Sequence, residues 1–180
     1  MNKEARTEMH NGRRDINDVP SECVPFYLLT QRQREVLQHT TDGYTCEEAG
    51  QLMGISLRTV GHHRRAIGGI VMEVIGSNFI NDYSHQASIT ILSLIQDGIT
   101  YGYLAHKLPD EPIQPLSKRE TEVVDKVLQG KTYTEIASED CYAESTISSH
   151  MSNVHKKLHT KYYYQAVARV TYLRVHRMWP

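Results

Sequence analysis

The chain has 180 residues, with 20 Lys+Arg against 21 Asp+Glu and a formal net charge of −1. That length suits two small domains or one medium one, and the near-neutral balance gives no global attraction to nucleic acid. No apolar run approaches the ~20 residues needed to cross a bilayer, and Cys23, Cys46 and Cys141, isolated and odd in number, supply neither a disulfide framework nor a metal spacing.

Residues 1–25 read as a polar tail. Met1 to Asn17 lacks the apolar stretch of a secretory signal, so a cytoplasmic protein with reduced thiols is expected. Thr30-x-x-Gln33 is a capping-box pattern that predicts a helix from Gln31, with Val36 and Leu37 on its buried side and Asp42-Gly43 at its end. Thr45-x-x-Glu48 predicts a second helix through Met53, broken by Gly54. Ser56-Leu57-Arg58-Thr59 opens a third, with Val60 and Ile67 two turns apart on one face. Gly68-Gly69 predicts that this third helix is short, because each interior glycine costs roughly 1 kcal/mol. A fourth helix begins near Tyr83-Ser84-His85-Gln86-Ala87, and Gly98, Gly102, Pro109, Pro112 and Pro115 mark a linker over 99–115.

The same grammar then recurs. Ser117-x-x-Glu120 caps a helix carrying Val123, Val124, Val127 and Leu128, and Gly130 stops it. Thr132-x-x-Glu135 caps the next, and Glu144 to Leu158 forms the third, with Ile147, Val154 and Leu158 buried. Tyr162-Tyr163-Tyr164-Gln165-Ala166 opens the fourth. The two copies align without a gap at an offset of 87, from Leu29-Thr30-x-Arg32 and Leu116-Ser117-x-Arg119 to His63-x-x-x-Ile67 and His150-x-x-x-Val154. Gly43 matches Gly130, Glu35 matches Glu122 and Glu48 matches Glu135. The fourth helices match at an offset of 79, which puts eight extra residues of repeat one between Gly68 and Asp82. An internal repeat sets the architecture. The expected fold is all-α: two tandem four-helix units, at 26–98 and 116–180.

Two helices joined by a short turn, the second polar and basic, follow the helix-turn-helix plan. Such a second helix fits the DNA major groove, where side chains at i and i+4 reach neighbouring base edges. Charge is distributed to suit: residues 116–180 hold 10 Lys+Arg against 7 Asp+Glu, while residues 1–115 hold 10 against 14.

Residues 116–170 resemble the C-terminal DNA-binding domain of the LuxR/FixJ/NarL-type transcription regulators. The resemblance is carried by Leu116-Ser117-x-Arg119-Glu120-x-Glu122-Val123, Gly130-Lys131, Glu135-Ile136-Ala137, Ser145-Thr146-Ile147-x-x-His150, Lys157-Leu158 and Ala166-Val167. Residues 29–67 resemble the same domain more loosely. The resemblance implies that Thr146 meets a phosphate, that Ser148 and Ser152 face bases with Ser149 beside them, and that Lys156 and Lys157 contact phosphates. His150 is expected as a packing or phosphate contact. In repeat one the matching positions are Thr59, Gly61, His62 and Arg65, with Arg65 able to pair bidentately with guanine and Arg58 and Arg64 placed to hold the backbone. The fourth helix commonly forms the family's dimer interface, which nominates Tyr163, Val167, Val170 and Leu173 for a homodimer contact. Two linked copies in one chain could instead imitate that dimer and cover two half-sites.

The chain departs from the pattern in places. Asp140, Tyr142 and Ala143 stand where the family prefers Leu, Ile and Ser, and Ala49-Gly50 replaces the usual Ile-Ala. About 28 residues precede repeat one, too few for a receiver or small-molecule sensor, so control is expected from abundance, a partner, or the extra segment of repeat one.

Other chemistries fare worse. The neighbours His62 and His63 point about 100° apart on a helix and do not easily share a metal ion. There is no nucleophile elbow, phosphate-cradling glycine loop or HExxH pattern, so neither an enzyme nor a cofactor is expected. The reading is a sequence-specific duplex-DNA-binding transcription regulator, an activator by the family's commoner mode. The rival is a protein-interaction module that recruits RNA polymerase or sequesters another regulator.

Overall fold

A computed structural model describes residues 24–75, 83–111 and 113–179; residues 1–23 of the tail, Cys23 among them, and residues 76–82 of the extra segment lie outside the described residues. Those residues form helices and no strands, in the order α1 (Val24–Leu28), α2 (Gln31–Asp42), α3 (Cys46–Met53), α4 (Leu57–Ile75), α5 (Tyr83–Thr100), α6 (Lys118–Leu128), α7 (Tyr133–Asp140), α8 (Glu144–Leu158) and α9 (Tyr163–Val175). Repeat one is α2–α5 and repeat two is α6–α9.

All four capping boxes form. Thr30, Thr45, Ser117 and Thr132 accept from the backbone of Gln33, Glu48, Glu120 and Glu135, whose side chains reach back to the cap nitrogens. Each satisfies two amide groups that a helix start otherwise leaves unpaired. Helix ends follow the glycines: Gly43 (φ 87°) and Gly54 (φ 66°) cap α2 and α3 in the left-handed region, and Gly130 (φ 87°) follows α6. At the position aligned with Gly54, α7 instead ends on Cys141 at φ 56°.

Two features differ from the sequence expectations. The short helix α1, with Pro25 and Phe26 buried, has no sequence counterpart. And α4 is not short: it runs through Gly68-Gly69 to Ile75, 19 residues against the 15 of α8. The propensity cost of two glycines is overridden by packing, since Ile67 is buried, Gly68 is buried, and Ile70 packs on the core.

The buried apolar residues of both repeats form one core. Of all helix pairs, α5 and α9 pack most extensively, and α9 also lies against α2. Contacts between the repeats run in both directions. Gln165 on α9 donates to Asp42 O at 2.9 Å, at the end of α2. Gln96 on α5 donates to Leu128 O at 2.8 Å, at the end of α6. A Cβ on Gly43 would lie 2.5 Å from the Gln165 side chain, and one on Gly130 would lie 3.0 Å from Ile89 of α5. Enclosed on two sides, α9 buries Ala166 to Thr171 without interruption, Arg169 included.

The linker is fastened to both repeats. Gln38 exchanges two hydrogen bonds with the backbone of Ala105 (2.9 and 3.0 Å), and Gln114 N donates to Lys157 O at 3.1 Å. Arg169 donates from Nε to His106 Nε2 at 2.7 Å and from Nη1 to Leu158 O at 3.0 Å. Burial, and then the neighbouring Arg169 charge, bring His106 down from 6.5 to about 4.

Three variants test these backbones and bonds. At Gly54 nothing lies within 4 Å of an added Cβ, so Gly54→Ala tests conformation alone and should cost about 1–2 kcal/mol. Cys141→Gly should raise stability by about 1 kcal/mol, or 2–4 °C in a circular-dichroism melt; an unchanged or lower melting temperature refutes the strain at Cys141. Because His106 binds its proton more weakly when folded, stability should hold above pH 6.5 and fall, by on the order of 2 kcal/mol, as pH drops toward 4. His106→Gln keeps an acceptor for Arg169 and should flatten that window in urea titrations; the same slope in the variant would assign the loss to other groups.

Candidate nucleic-acid interface

In repeat two, α8 buries Ile147, Met151, Val154 and Leu158 against α6 and α7. The 3.6-residue period then turns Ser145, Ser148, Ser149, Ser152, Asn153 and Lys156 to solvent, with Thr146 and His150 half-buried beside them. Ser149 is partly engaged, donating its hydroxyl to Ser145 O at 2.8 Å. Ser148, Ser152, Lys156 and Lys161 line a shallow pocket of about 380 Å³ between α8 and the start of α9. Asn153 and Lys161 were absent from the sequence-derived set. Asn153 sits four residues beyond Ser149, a spacing that could have nominated it, whereas Lys161 comes to the face only through the turn into α9.

Lys157 does not join that face. Its Nζ lies 2.7 Å from Glu120 Oε2, and the Glu120 side chain is only 6% exposed. Burial alone would raise the Glu120 carboxyl, but Lys157 together with the Ser117 amide and hydroxyl holds it below the usual carboxylate range. Lys157, expected at a phosphate, has its ammonium on a buried anion in this structure.

The helix-turn-helix corner of repeat two is held by charge. Arg119 bonds Glu122 (2.9 Å) and Asp140 (3.0 Å), and its guanidinium lies 4.5 Å from the centre of the Tyr142 ring. Lys126 pairs with Asp140 and, at 3.3 Å, with Glu139, which Lys131 also meets at 2.6 Å. Lys126 and then Arg119 hold the Asp140 carboxyl below its ordinary value. The residues that depart from the family pattern here, Asp140 and Tyr142, are the ones this cluster uses. Ala143 gives α8 no side-chain cap, but Glu144 follows at its first turn and accepts from Thr134 Oγ1 at 2.8 Å.

In repeat one, Thr59 is a local cap partner: its amide donates to Ser56 Oγ (3.1 Å), and the two hydroxyls share a 2.8 Å bond. Arg58, His62 and Arg65 are exposed on α4, with Arg65 Nη2 3.3 Å from His62 Nδ1. Arg64 is turned inward. It donates to Cys46 Sγ at 3.1 Å and sits 5.2 Å from the centre of the Tyr164 ring on α9. Half-buried, it links the repeats, where the sequence places it beside Arg58 to hold the DNA backbone. Leu52 and Leu57, aligned with Glu139 and Glu144, are exposed.

The residues nominated for a homodimer contact are taken up within the chain. Val167, Val170 and Leu173 are buried. Tyr163 donates its hydroxyl to Val127 O at 3.1 Å, and burial pushes that hydroxyl well above its ordinary pKa. Among the described residues no group of His, Cys, Asp and Glu is placed to hold a metal ion, and no helix is long and apolar enough to cross a membrane.

The family model for bacterial regulatory proteins of the luxR family (GerE) matches residues 27–68 and 114–170, more than half of the chain. The chain belongs to the LuxR family of bacterial regulatory proteins. It is similar to the spore germination protein GerE of Bacillus subtilis (strain 168), 46% identical over 55 residues, which is 31% of this chain and 74% of that protein. No solved structure gives a significant match. The two matched segments enclose α2–α3–α4 and α6–α7–α8 up to Gly68 in the first and through most of α9 in the second. The family is one of DNA-binding transcription regulators rather than enzymes, and both of its helix-turn-helix corners are complete here.

Removing Lys157 leaves Glu120 buried and unpaired, so Lys157→Met should cost about 1.5–3 kcal/mol at pH 7. Glu120 is depressed in the folded state, so the pair's contribution is present above the ordinary carboxylate range and is lost as pH falls through the folded value. The gap between variant and wild type in denaturant melts should therefore narrow toward pH 3. A gap independent of pH would mean that the side chain's packing, not its charge, is what the variant loses.

Proposed function

We propose that this protein is a sequence-specific, double-stranded-DNA-binding transcription regulator of the cytoplasm, an activator, that reads DNA with both helix-turn-helix units, at 26–98 and 116–180. The observation that carries the reading is the division of α4 and α8 into a buried apolar face and an exposed polar face, inside segments that match a family of DNA-binding regulators. An α-helix so exposed fits the major groove.

In repeat two, Ser148 and Ser152 face base edges, with Asn153 beside them. Thr146 and Lys156 meet phosphates, Lys161 extends that contact across the pocket, and Ser149 and His150 flank it. In repeat one, Arg65 reads a base and Arg58 and Thr59 meet the backbone, with His62 orienting Arg65. RNA polymerase is the partner an activator requires. A second chain through the fourth helix is not required, since Val167, Val170 and Leu173 are already covered by the protein's own residues.

The test is binding of fluorescent duplexes by the full chain across a salt series. The logarithm of affinity should fall linearly with the logarithm of salt concentration, with a slope near −0.9 per phosphate contacted. Lys156→Ala should weaken all duplexes alike and reduce that slope by about 1, whereas Ser152→Ala should change preference between sequences and leave the slope alone. Absence of salt-dependent binding to any duplex would transfer the assignment to a protein-interaction module.

A further inference from the structure

We propose that a single chain reads a bipartite duplex site whose halves are inverted in orientation but different in base sequence, with the guanine-bearing half under α4. The inference rests on the DNA-reading function proposed above and adds the geometry and the content of the site.

The orientation comes from the contacts between repeats. Two copies related head-to-tail touch through different surfaces, whereas copies related by a two-fold axis touch through the same surface, so that i meets j and j meets i. Here the fourth helix of repeat two reaches the end of the first helix of repeat one, through Gln165 to Asp42 O and Gly43. The fourth helix of repeat one reaches the end of the first helix of repeat two, through Gln96 to Leu128 O and Ile89 to Gly130. The contacting side chains differ, and Gln96 lies near the end of α5 where Gln165 lies near the start of α9, but the elements exchange roles and the two fourth helices pack on each other. The repeats thus form a pseudo-two-fold pair, and their recognition helices address inverted half-sites, separated by about one helical turn of DNA as such pairs require.

The content comes from the exposed faces. At aligned positions α4 offers Arg58, Gly61, His62, Arg65 and Ala66 where α8 offers Ser145, Ser148, Ser149, Ser152 and Asn153. Arg58, His62 and Arg65 are exposed, and α4 is continuous through them. Arginine pairs bidentately with guanine O6 and N7, while serine bonds to any base edge. One half therefore demands guanine, and the other is read by short hydroxyls and an amide. The pair cannot specify a palindrome.

The experiment is selection from a random duplex library by the full chain, followed by mass determination of the complex. Wild type should enrich two unlike halves at one spacing, with one chain per duplex. Arg65→Ala should lose about 10–100-fold affinity for duplexes carrying the guanine half and leave the other half's preference intact. The decisive variant carries Arg58→Ser, Gly61→Ser, His62→Ser, Arg65→Ser and Ala66→Asn. These positions are exposed or half-buried, and Gly61 has open space for a side chain. With repeat two's face on both helices, the two-fold frame should convert the preferred site to an inverted repeat of the second half. A direct repeat would overturn the pseudo-two-fold, and a palindrome bound by two wild-type chains would overturn the single-chain reading, both leaving DNA recognition standing. No enrichment by wild type would overturn DNA recognition and this inference together. Should the five-fold variant fail to give the native circular-dichroism spectrum, the wild-type and Arg65→Ala selections still decide between unlike halves and a palindrome.

Discussion

A four-helix unit of this size lies near the lower limit for burying an adequate core alone, and in this protein each unit completes the other. The packing of α5 on α9, with each fourth helix reaching the far end of its neighbour's first helix, joins two small cores into one. The rest of the arrangement depends on that contact. It covers Val167, Val170 and Leu173. It surrounds α9 so completely that an arginine, Arg169, is buried at 3% exposure and donates to Leu158 O and to the linker's His106. The linker does not simply span the repeats; it supplies a half-buried acceptor and, through Leu104, part of the wall against Gly98.

Much of this was readable in advance because the signals are local. A capping box needs only four residues, and four of them repeated in register located the starts of α2, α3, α6 and α7. The offset of 87 likewise carried the pattern of Ile147 and Val154 back onto Val60 and Ile67. The failures share a different cause. Gly68-Gly69 was a local stop signal that long-range packing overrode. Lys157 looked like a surface cation because nothing in its neighbourhood shows that Glu120, 37 residues earlier, is buried beneath it. Arg64 looked like its neighbours Arg58 and Arg65 until the fold brought Tyr164 from the other repeat over it. Sequence reading is blind to the partners that a side chain finds across a tertiary contact.

The two corners solve the same packing problem with different physics. Repeat one ends α3 on a glycine and leaves Leu52 and Leu57 on the surface beside Ile55. Repeat two ends α7 on Cys141 in the same left-handed geometry and holds the corner through Arg119, Lys126, Lys131, Glu139 and Asp140. These partly exposed pairs are individually weak, but they share partners and so constrain one another. They also engage three cations within the domain, while Lys156 and Lys161 stay exposed beside the pocket at α8.

Linking the copies changes what mutation can do. In a dimer of identical chains every substitution on the reading helix appears in both halves, so the paired sites must stay alike. Within one chain the contacts that set the relative orientation, Gln165 with Asp42 and Gln96 with Leu128, lie on α9, α2, α5 and α6 and not on α4 or α8. The faces of α4 and α8 are separate from them and from each other in sequence. Each face is therefore free to diverge while the frame remains, and the contrast between Arg58, His62 and Arg65 on one helix and Ser145, Ser149 and Ser152 on the other is the divergence that this freedom permits. The strict elements of the duplication are the capping residues and the buried positions, which the shared core constrains; the variable ones are those that point away from it.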